Sequence, residues 1–178
     1  MKDISIVIDS YMAEGKYQEL VEILLSALKR NPQDHWLMGN LASVFYELHE
    51  YDEAYTVLSS AIIEHENCPF LWWHLAGTLE GLGRVEEAIV VWNEILKYDS
   101  IYIDFSDNPC WESLEFKYSL ITDTFFRVAN ALVNMYKYSE AKPYFERFIE
   151  RNLLNKDLLN NSIYNFNDIL VKYNSLYK

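Results

Sequence analysis

Residues that crosslink or turn a chain are scarce in this sequence. Its 178 residues include two cysteines, four prolines and five glycines, and neither Asn-Gly nor Asp-Gly, the favoured hairpin turns, occurs. Strand signals are scarce as well, so we expect an all-α protein. Cys68 and Cys110 are too few for a disulfide framework, and we expect reduced thiols, with a crosslink or a redox role as the alternative.

Long apolar runs are also missing. No stretch approaches the roughly 20 apolar residues that a membrane-spanning helix needs. The start of the chain has a short apolar run that Asp3 and Asp9 interrupt, which does not fit the apolar region and cleavage site of a signal peptide. We therefore predict a cytoplasmic protein with no membrane partner.

Motifs that carry catalysis or bind metals are absent from the sequence. It has no glycine-rich phosphate loop, no His-Glu-x-x-His and no nucleophile elbow. The four histidines lack the spacing of a zinc site, and the cysteines are not arranged as Cys-x-x-Cys. The expectation is a protein without enzyme activity, cofactor or metal.

Basic residues are missing from one long segment. Between Arg30 and Arg84 there is no Lys or Arg, while eight Asp and Glu residues lie there. The formal net charge is −12, of which residues 1–100 carry −11 and residues 101–178 carry −1. Phosphate binding needs a Lys/Arg footprint, so we expect no nucleic-acid partner. Two interpretations stay open: a solubility feature of an acidic protein, or a surface that attracts and orients a basic partner.

What the sequence does contain is a period. Leu20, Ala54 and Ala88 lie 34 residues apart, and Ala141 follows 53 residues later, which is one period plus an insertion of 19. A 34-residue period is typical of helix–turn–helix units that bury their apolar faces by stacking on one another. The hydrophobic content of 51% is sufficient for such a folded core.

The units share a residue pattern as well as a length. The third unit reads Trp72-x2-Leu75-Ala76-x2-Leu79 and then Glu86-Glu87-Ala88-x3-Trp92, and the second and fourth units follow the same pattern. This pattern resembles the tetratricopeptide repeat, including its small residues where two helices approach closely. The resemblance implies a right-handed α-solenoid of four helix pairs that forms a single domain over residues 1–178. The expected parts are repeats at 1–34, 35–68, 69–102 and about 122–155, an insertion at 103–121 and a capping helix at 157–176.

The insertion before the fourth unit is the main departure from a plain array. We expect a loop at 101–108 and a long first helix that starts near Pro109, because Asp or Asn before proline is a helix-start signal. The segment has two interpretations. It is either a hydrophobic extension packed over the third unit, or an element that covers or completes a binding groove.

In tetratricopeptide arrays the first helix of each pair lines the concave face, so the resemblance implies a partner-binding groove there. The predicted groove residues are Trp36, Asn40, Ser43, Glu47, Phe70, Trp73, His74, Gly77, Glu80, Phe126, Arg127 and Asn130. Aromatic anchors near acidic and amide groups suit a peptide whose side chains are basic and apolar. The alternative is that Trp36 and Phe70 simply pack between adjacent units.

The function that follows is a protein–protein interaction scaffold, either an adaptor or an immunity-type inhibitor whose acidic groove occludes a basic protein or peptide. The alternative is a chaperone resembling the secretion chaperones built from such repeats, which hold an extended client segment; a homodimer stays open. Repeat domains that clamp acidic chaperone tails use Lys and Arg on this face. Phe70 and His74 stand where Lys and Arg would be, so that subtype is not expected.

The period predicts that Ala88 lies where two helices nearly touch. Ala88→Leu should therefore overpack the interface and lower the free energy of unfolding by about 1–3 kcal/mol. Glu87→Ala, its neighbour on the exposed side, should change stability by less than about 0.5 kcal/mol. Thermal melts of the two variants check this, and an unchanged melt for Ala88→Leu would contradict the register.

Overall fold

The computed structural model describes residues 4–100, 109–111, 113–154 and 166–177. Within these segments the regular structure is helical and no strand occurs, so the all-α prediction is confirmed. The helices are α1 Ile4–Ala13, α2 Tyr17–Leu28, α3 His35–Glu47, α4 Tyr51–Glu64, α5 Pro69–Gly81, α6 Val85–Leu96, α7 Leu114–Asn134, α8 Tyr138–Leu154 and α9 Phe166–Tyr177, with a 3₁₀ turn at Pro109–Trp111.

The chain divides into two compact units, and the boundary falls inside α6. Unit 1 ends at Val91 and unit 2 begins at Trp92. None of the helices in the described residues is long and apolar enough to span a lipid bilayer.

The core of unit 1 follows the predicted period. Ala54 and Ala88 have no solvent exposure, and Ala42 and Ala76, also 34 residues apart, are likewise buried. Alanine at these positions lets neighbouring helices approach closely, while larger apolar side chains at three- and four-residue spacing fill the space between them. The buried cluster at the N-terminal end of the unit consists of Ile8, Leu20, Leu24, Ala27, Leu37, Leu41 and Val44.

Each helix pair is joined by the same tight turn. Its central residue has a positive φ, at Gly15, His49 and Gly83 in successive periods and at Tyr136 after the insertion. In every case the next residue donates its N–H to a carbonyl five residues back, as Arg84 does to Leu79 at 2.8 Å and Lys137 does to Leu132 at 2.9 Å. These bonds are those of a Schellman motif, which satisfies carbonyls left over at a helix end. Glycine fits the turn without steric cost, whereas His49 and Tyr136 adopt it against their preference.

Unit 2 is organised around large buried aromatic residues. Trp92, Trp111 and Phe145 have no solvent exposure, and Trp111 packs on Tyr98 with ring centroids 5.3 Å apart. Trp111 belongs to the predicted insertion, and its complete burial favours the interpretation of this segment as a hydrophobic packing element. Residues 101–108, the predicted loop, lie outside the described residues.

An ionic cluster ties the residues after α6 to α7 and α8, and its Asp99 and Arg151 side chains are largely buried. Arg151 donates to the Asp99 carboxylate and, at 2.9 Å, to the Thr122 hydroxyl, while Arg147 donates to the same carboxylate at 2.9 and 3.0 Å. The Arg151 guanidinium also stacks over the Tyr118 ring. Burial lowers the pKa of Arg151, and the Asp99 carboxylate opposes that shift. Hydrogen bonds from several groups thus compensate for a charge that would be costly to bury alone.

Two expectations need correction. The predicted helix start near Pro109 is wrong, because Pro109–Trp111 forms only a 3₁₀ turn and α7 begins at Leu114, where the Ser113 hydroxyl caps it by accepting from Phe116 N–H at 3.0 Å. Helix α9, at Phe166–Tyr177, overlaps the predicted capping helix at 157–176, of which residues 157–165 lie outside the described residues. Both cysteines are disulfide-bonded, so neither is the reduced thiol we expected.

Two glycines in unit 1 should respond in opposite ways to an added methyl group. Gly83 has φ +75°, so Gly83→Ala should cost about 1–2 kcal/mol of unfolding free energy. Gly77 lies inside α5, and no atom lies within 4 Å of the place that a Cβ would occupy, so Gly77→Ala should raise that free energy by about 0.5–1 kcal/mol. Urea unfolding of both variants checks this, and a change of the same sign would contradict the turn geometry.

Candidate functional site

The candidate surface of unit 1 is built on α3 and α5, the first helices of the second and third repeats, which pack against each other. We call it the α3–α5 surface. Its residues are Trp36, Asn40, Ser43 and Glu47 on α3, and Phe70, Trp73, His74, Gly77 and Glu80 on α5.

On α3, the surface residues are partly buried near the N-terminus of the helix and exposed at its C-terminus. Trp36 packs against the buried cluster at the N-terminal end of unit 1, and Asn40 donates its side-chain N–H to the Trp36 carbonyl at 2.8 Å. Ser43 is half-buried, and Glu47, at the end of the helix, is exposed. Trp36 therefore has a structural role as well as a place on the surface.

Phe70 packs between the two helices. A methyl group at Gly39 would come within 2.2 Å of the Phe70 ring, so the ring rests directly on the backbone of α3. This contact supports the interpretation that Phe70 packs between adjacent repeats. It also explains why α3 has a glycine at this point, since any larger residue would displace the ring.

An aromatic and histidine group continues along α5. The His74 ring is perpendicular to the Phe70 ring at 4.6 Å and to the Trp73 ring at 5.0 Å. Such edge-to-face contacts hold the three rings in one arrangement. Trp73 and His74 are half-buried, and the next turn of the helix carries Gly77, which leaves open space beside them. Rigid aromatic groups next to an open position provide both apolar area and room for a ligand side chain.

Acidic residues dominate the charge of this surface. Glu47 and Glu80 lie at the ends of α3 and α5, within the segment that has no Lys or Arg. The surface thus combines apolar rings with carboxylates in a stretch of chain that supplies no basic side chain of its own.

Of the three predicted site residues in unit 2, Phe126 is buried in the core. Phe126 is only 8% exposed and packs against Phe148 and Phe145, with ring centroids at 5.3 and 6.3 Å. Arg127 pairs with Asp123 at 2.9 Å, and Asn130 accepts a hydrogen bond from Lys172 of α9. We therefore remove Phe126 from the candidate surface: its ring is in the core because α8 supplies the aromatic partners. Arg127 and Asn130 already have partners within unit 2.

Sequence reasoning missed two features that depend on contacts distant in the chain. The Asp99–Arg151 pair joins residues 52 positions apart. The only sequence signal was the placement of Arg147 and Arg151 four residues apart on one helix face. The second feature is a groove between α2 and α4, which no single helix pattern indicates.

Comparisons with known proteins agree with the repeat assignment. A tetratricopeptide repeat family model matches residues 11–69, so the resemblance found in the sequence is confirmed there. The fold is similar to a solved structure titled MamA MSR-1 C2, with a TM-score of 0.55, 18% sequence identity, and coverage of 80% of this chain and 71% of that one. A second, MamA RS-1 ArsTM double mutant, has a TM-score of 0.50 and 13% identity, and covers 97% of this chain and 91% of that one. These likenesses establish a helical repeat fold, and the tetratricopeptide repeats support a protein–protein interaction scaffold.

The core position of Phe126 predicts a large effect on stability. Phe126→Ala should lower the free energy of unfolding by about 3–5 kcal/mol, because it leaves a cavity between α7 and α8. Ser119→Ala, at an exposed position of the same helix, should change it by less than about 0.5 kcal/mol. Urea unfolding followed by tryptophan fluorescence checks both values. Equal stability of the two variants would show that Phe126 is a surface residue after all.

Proposed function

We propose that this chain, which carries tetratricopeptide repeats over residues 11–69, uses its α3–α5 surface to bind a basic and apolar peptide or protein surface. The observation that carries the proposal is the group formed by Phe70, Trp73 and His74 beside the open position at Gly77. Aromatic anchors of this kind provide most of the energy in many interfaces.

The basic character of the partner is inferred from charge. Glu47 and Glu80 flank the aromatic group along the chain, and no Lys or Arg occurs between Arg30 and Arg84. A partner with lysine or arginine side chains would be attracted and oriented by this field, whereas an acidic partner would be repelled. Complementary charge of this sort raises the association rate more than it raises affinity.

Phe70 and Trp36 have a supporting role in this proposal. Because Phe70 rests on Gly39 and Trp36 packs on the core cluster, both hold the surface in shape. The side chains that would contact the partner are then Trp73, His74 and the two glutamates. A surface held rigid in advance loses less conformational entropy on binding.

The mechanism is binding without turnover. Tetratricopeptide repeats are typically non-catalytic scaffolds, and occupation of an acidic aromatic surface by a basic segment requires no cofactor. In an adaptor this binding would bring the basic protein to a second component, and in an immunity-type inhibitor it would block the basic protein's own surface. A cytoplasmic location belongs to the same proposal.

Substitutions should distinguish the contribution of the aromatic anchor to binding from that of the two glutamates. Trp73→Ala should weaken binding by about 2 kcal/mol and act mainly by raising the dissociation rate, because it removes a buried anchor. Glu47→Gln combined with Glu80→Gln should instead lower the association rate and reduce its dependence on salt. The measurement is binding kinetics at two ionic strengths, with the partner identified by affinity purification from the native host and mass spectrometry.

A control with the same change in net charge is available in unit 2. Glu115→Gln combined with Glu140→Gln removes two exposed carboxylates from α7 and α8 and should leave the kinetics unchanged. Binding like that of the wild type by both Trp73→Ala and the Glu47/Glu80 variant would place the site on another surface.

A further inference from the structure

Unit 1 also has a groove on another side of α3, which we call the α2–α4 groove. Helices α2 and α4 form its walls and α3 contributes its floor, and its volume is about 340 Å³. Its lining residues are Leu25, Leu41, Phe45, Asp52, Glu53, Thr56 and Val57. From α3 it takes Leu41 and Phe45, which belong to a different face of that helix from the residues of the α3–α5 surface.

The apolar part of this groove is accessible to solvent. Leu25 is 44% exposed, and Phe45 and Val57 are only half-buried. Leu41 closes the floor at 2% exposure. The groove therefore presents an aliphatic and aromatic lining of a size suited to one or two side chains of a ligand.

The polar part of the groove is acidic. Asp52 and Glu53 lie in the first turn of α4 and line one wall. Asp52 and Glu53 are both exposed, and the Thr56 hydroxyl donates to the Asp52 backbone carbonyl at 2.8 Å. A ligand that fills the apolar lining thus meets two carboxylates at its edge.

In the next repeat, the glutamate equivalent to Glu53 is neutralised by a basic residue of the same chain. There, Arg84 donates to both oxygens of Glu87 at 2.7 Å, and its guanidinium lies 4.8 Å from the centre of the Tyr55 ring. One period earlier, the position of Arg84 is occupied by Glu50 and that of Glu87 by Glu53. Beside the α2–α4 groove, the chain therefore has Glu50 at the position where the next repeat has Arg84.

A second difference between the two repeats concerns the apolar wall. The position equivalent to Leu25 in the next repeat is Ser59. Relative to its neighbour, the α2–α4 groove has thus gained an exposed leucine and lost an arginine. Both differences favour the same class of ligand, one that supplies an aliphatic group and a positive charge.

We propose that the α2–α4 groove is a second binding site, which takes a segment of a protein partner containing a leucine, isoleucine or methionine next to an arginine or lysine. The aliphatic side chain contacts Leu25, Phe45 and Val57, and the basic side chain pairs with Glu53 and its acidic neighbours. The site is independent of the α3–α5 surface, and either can exist without the other.

The probe for this site is the blocked tetrapeptide acetyl-Leu-Arg-Arg-Leu-amide, titrated into the full chain labelled at leucine and valine methyl groups. NMR should show saturable shifts of the Leu25, Leu41 and Val57 methyls, with a dissociation constant below about 1 mM. Two control peptides, with both arginines replaced by glutamate or both leucines by serine, should bind at least ~10-fold more weakly because each removes one half of the recognition.

Variants taken from the neighbouring repeat sharpen the test. Glu50→Arg introduces the arginine that the next repeat has at this position, and it should lower the affinity for the tetrapeptide by ~10-fold or more. Glu53→Gln and Leu25→Ser should each weaken it several-fold, while Glu87→Gln, at the equivalent position of the next repeat, should leave affinity within about twofold.

Any one of the following results would overturn this proposal. They are the absence of saturable methyl shifts up to about 1 mM peptide, tight binding of the glutamate peptide, and wild-type affinity in both Glu50→Arg and Glu53→Gln. Shifts confined to Leu75 and Leu79 on α5 would also overturn it. Failure here would leave the α3–α5 proposal intact, since the kinetic variants of that surface are on different residues.

Discussion

The helices of unit 1 cannot be stable singly, and burial of their apolar faces against one another is the constraint on which the structure depends. The helices α1 to α4 have 10 to 14 residues, a length at which isolated helices are marginal in water. Close approach at Ala42, Ala54, Ala76 and Ala88 lets leucine and tryptophan side chains fill the remaining space. The same Schellman turn repeated after each first helix brings the two helices of every pair together.

This constraint explains which features could be predicted from the sequence. A repeated unit must place small residues and turns at the same positions each time, so the period identified the buried alanines and the helix pairs. The positive φ of His49 and Tyr136 is not indicated by their residue types, and the hydrogen bonds of the turn impose it.

The features that could not be predicted are those in which unit 2 departs from the repeat. Both Pro109 and Ser113 are residues at which a helix can start, and they lie four positions apart. The local sequence alone does not show that Ser113 is the residue that caps α7. The repeat pattern places Phe126 on the binding surface, but its ring lies in the core because Phe145 and Phe148 of α8 pack against it. The pairing of Asp99 with Arg151 and the disulfide-bonded state of the cysteines depend on distant contacts, which no periodicity encodes.

The segment without lysine or arginine connects the fold to function. Acidic side chains at helix N-termini, such as Asp52 and Glu53, stabilise a helix by interacting favourably with its dipole. In this chain they have an additional consequence, since in the segment between Arg30 and Arg84 no Lys or Arg is present to balance them. Two surfaces of unit 1, one aromatic and one aliphatic, combine apolar area with negative charge, and we propose the same chemical class of partner for both.

The most direct measurement is amide hydrogen exchange of the protein alone and with its purified partner bound. Binding at the α3–α5 surface should slow exchange in peptides covering α3 and α5, at 35–47 and 69–81. Protection confined to α7, α8 and α9, with no change in α3 or α5, would contradict it.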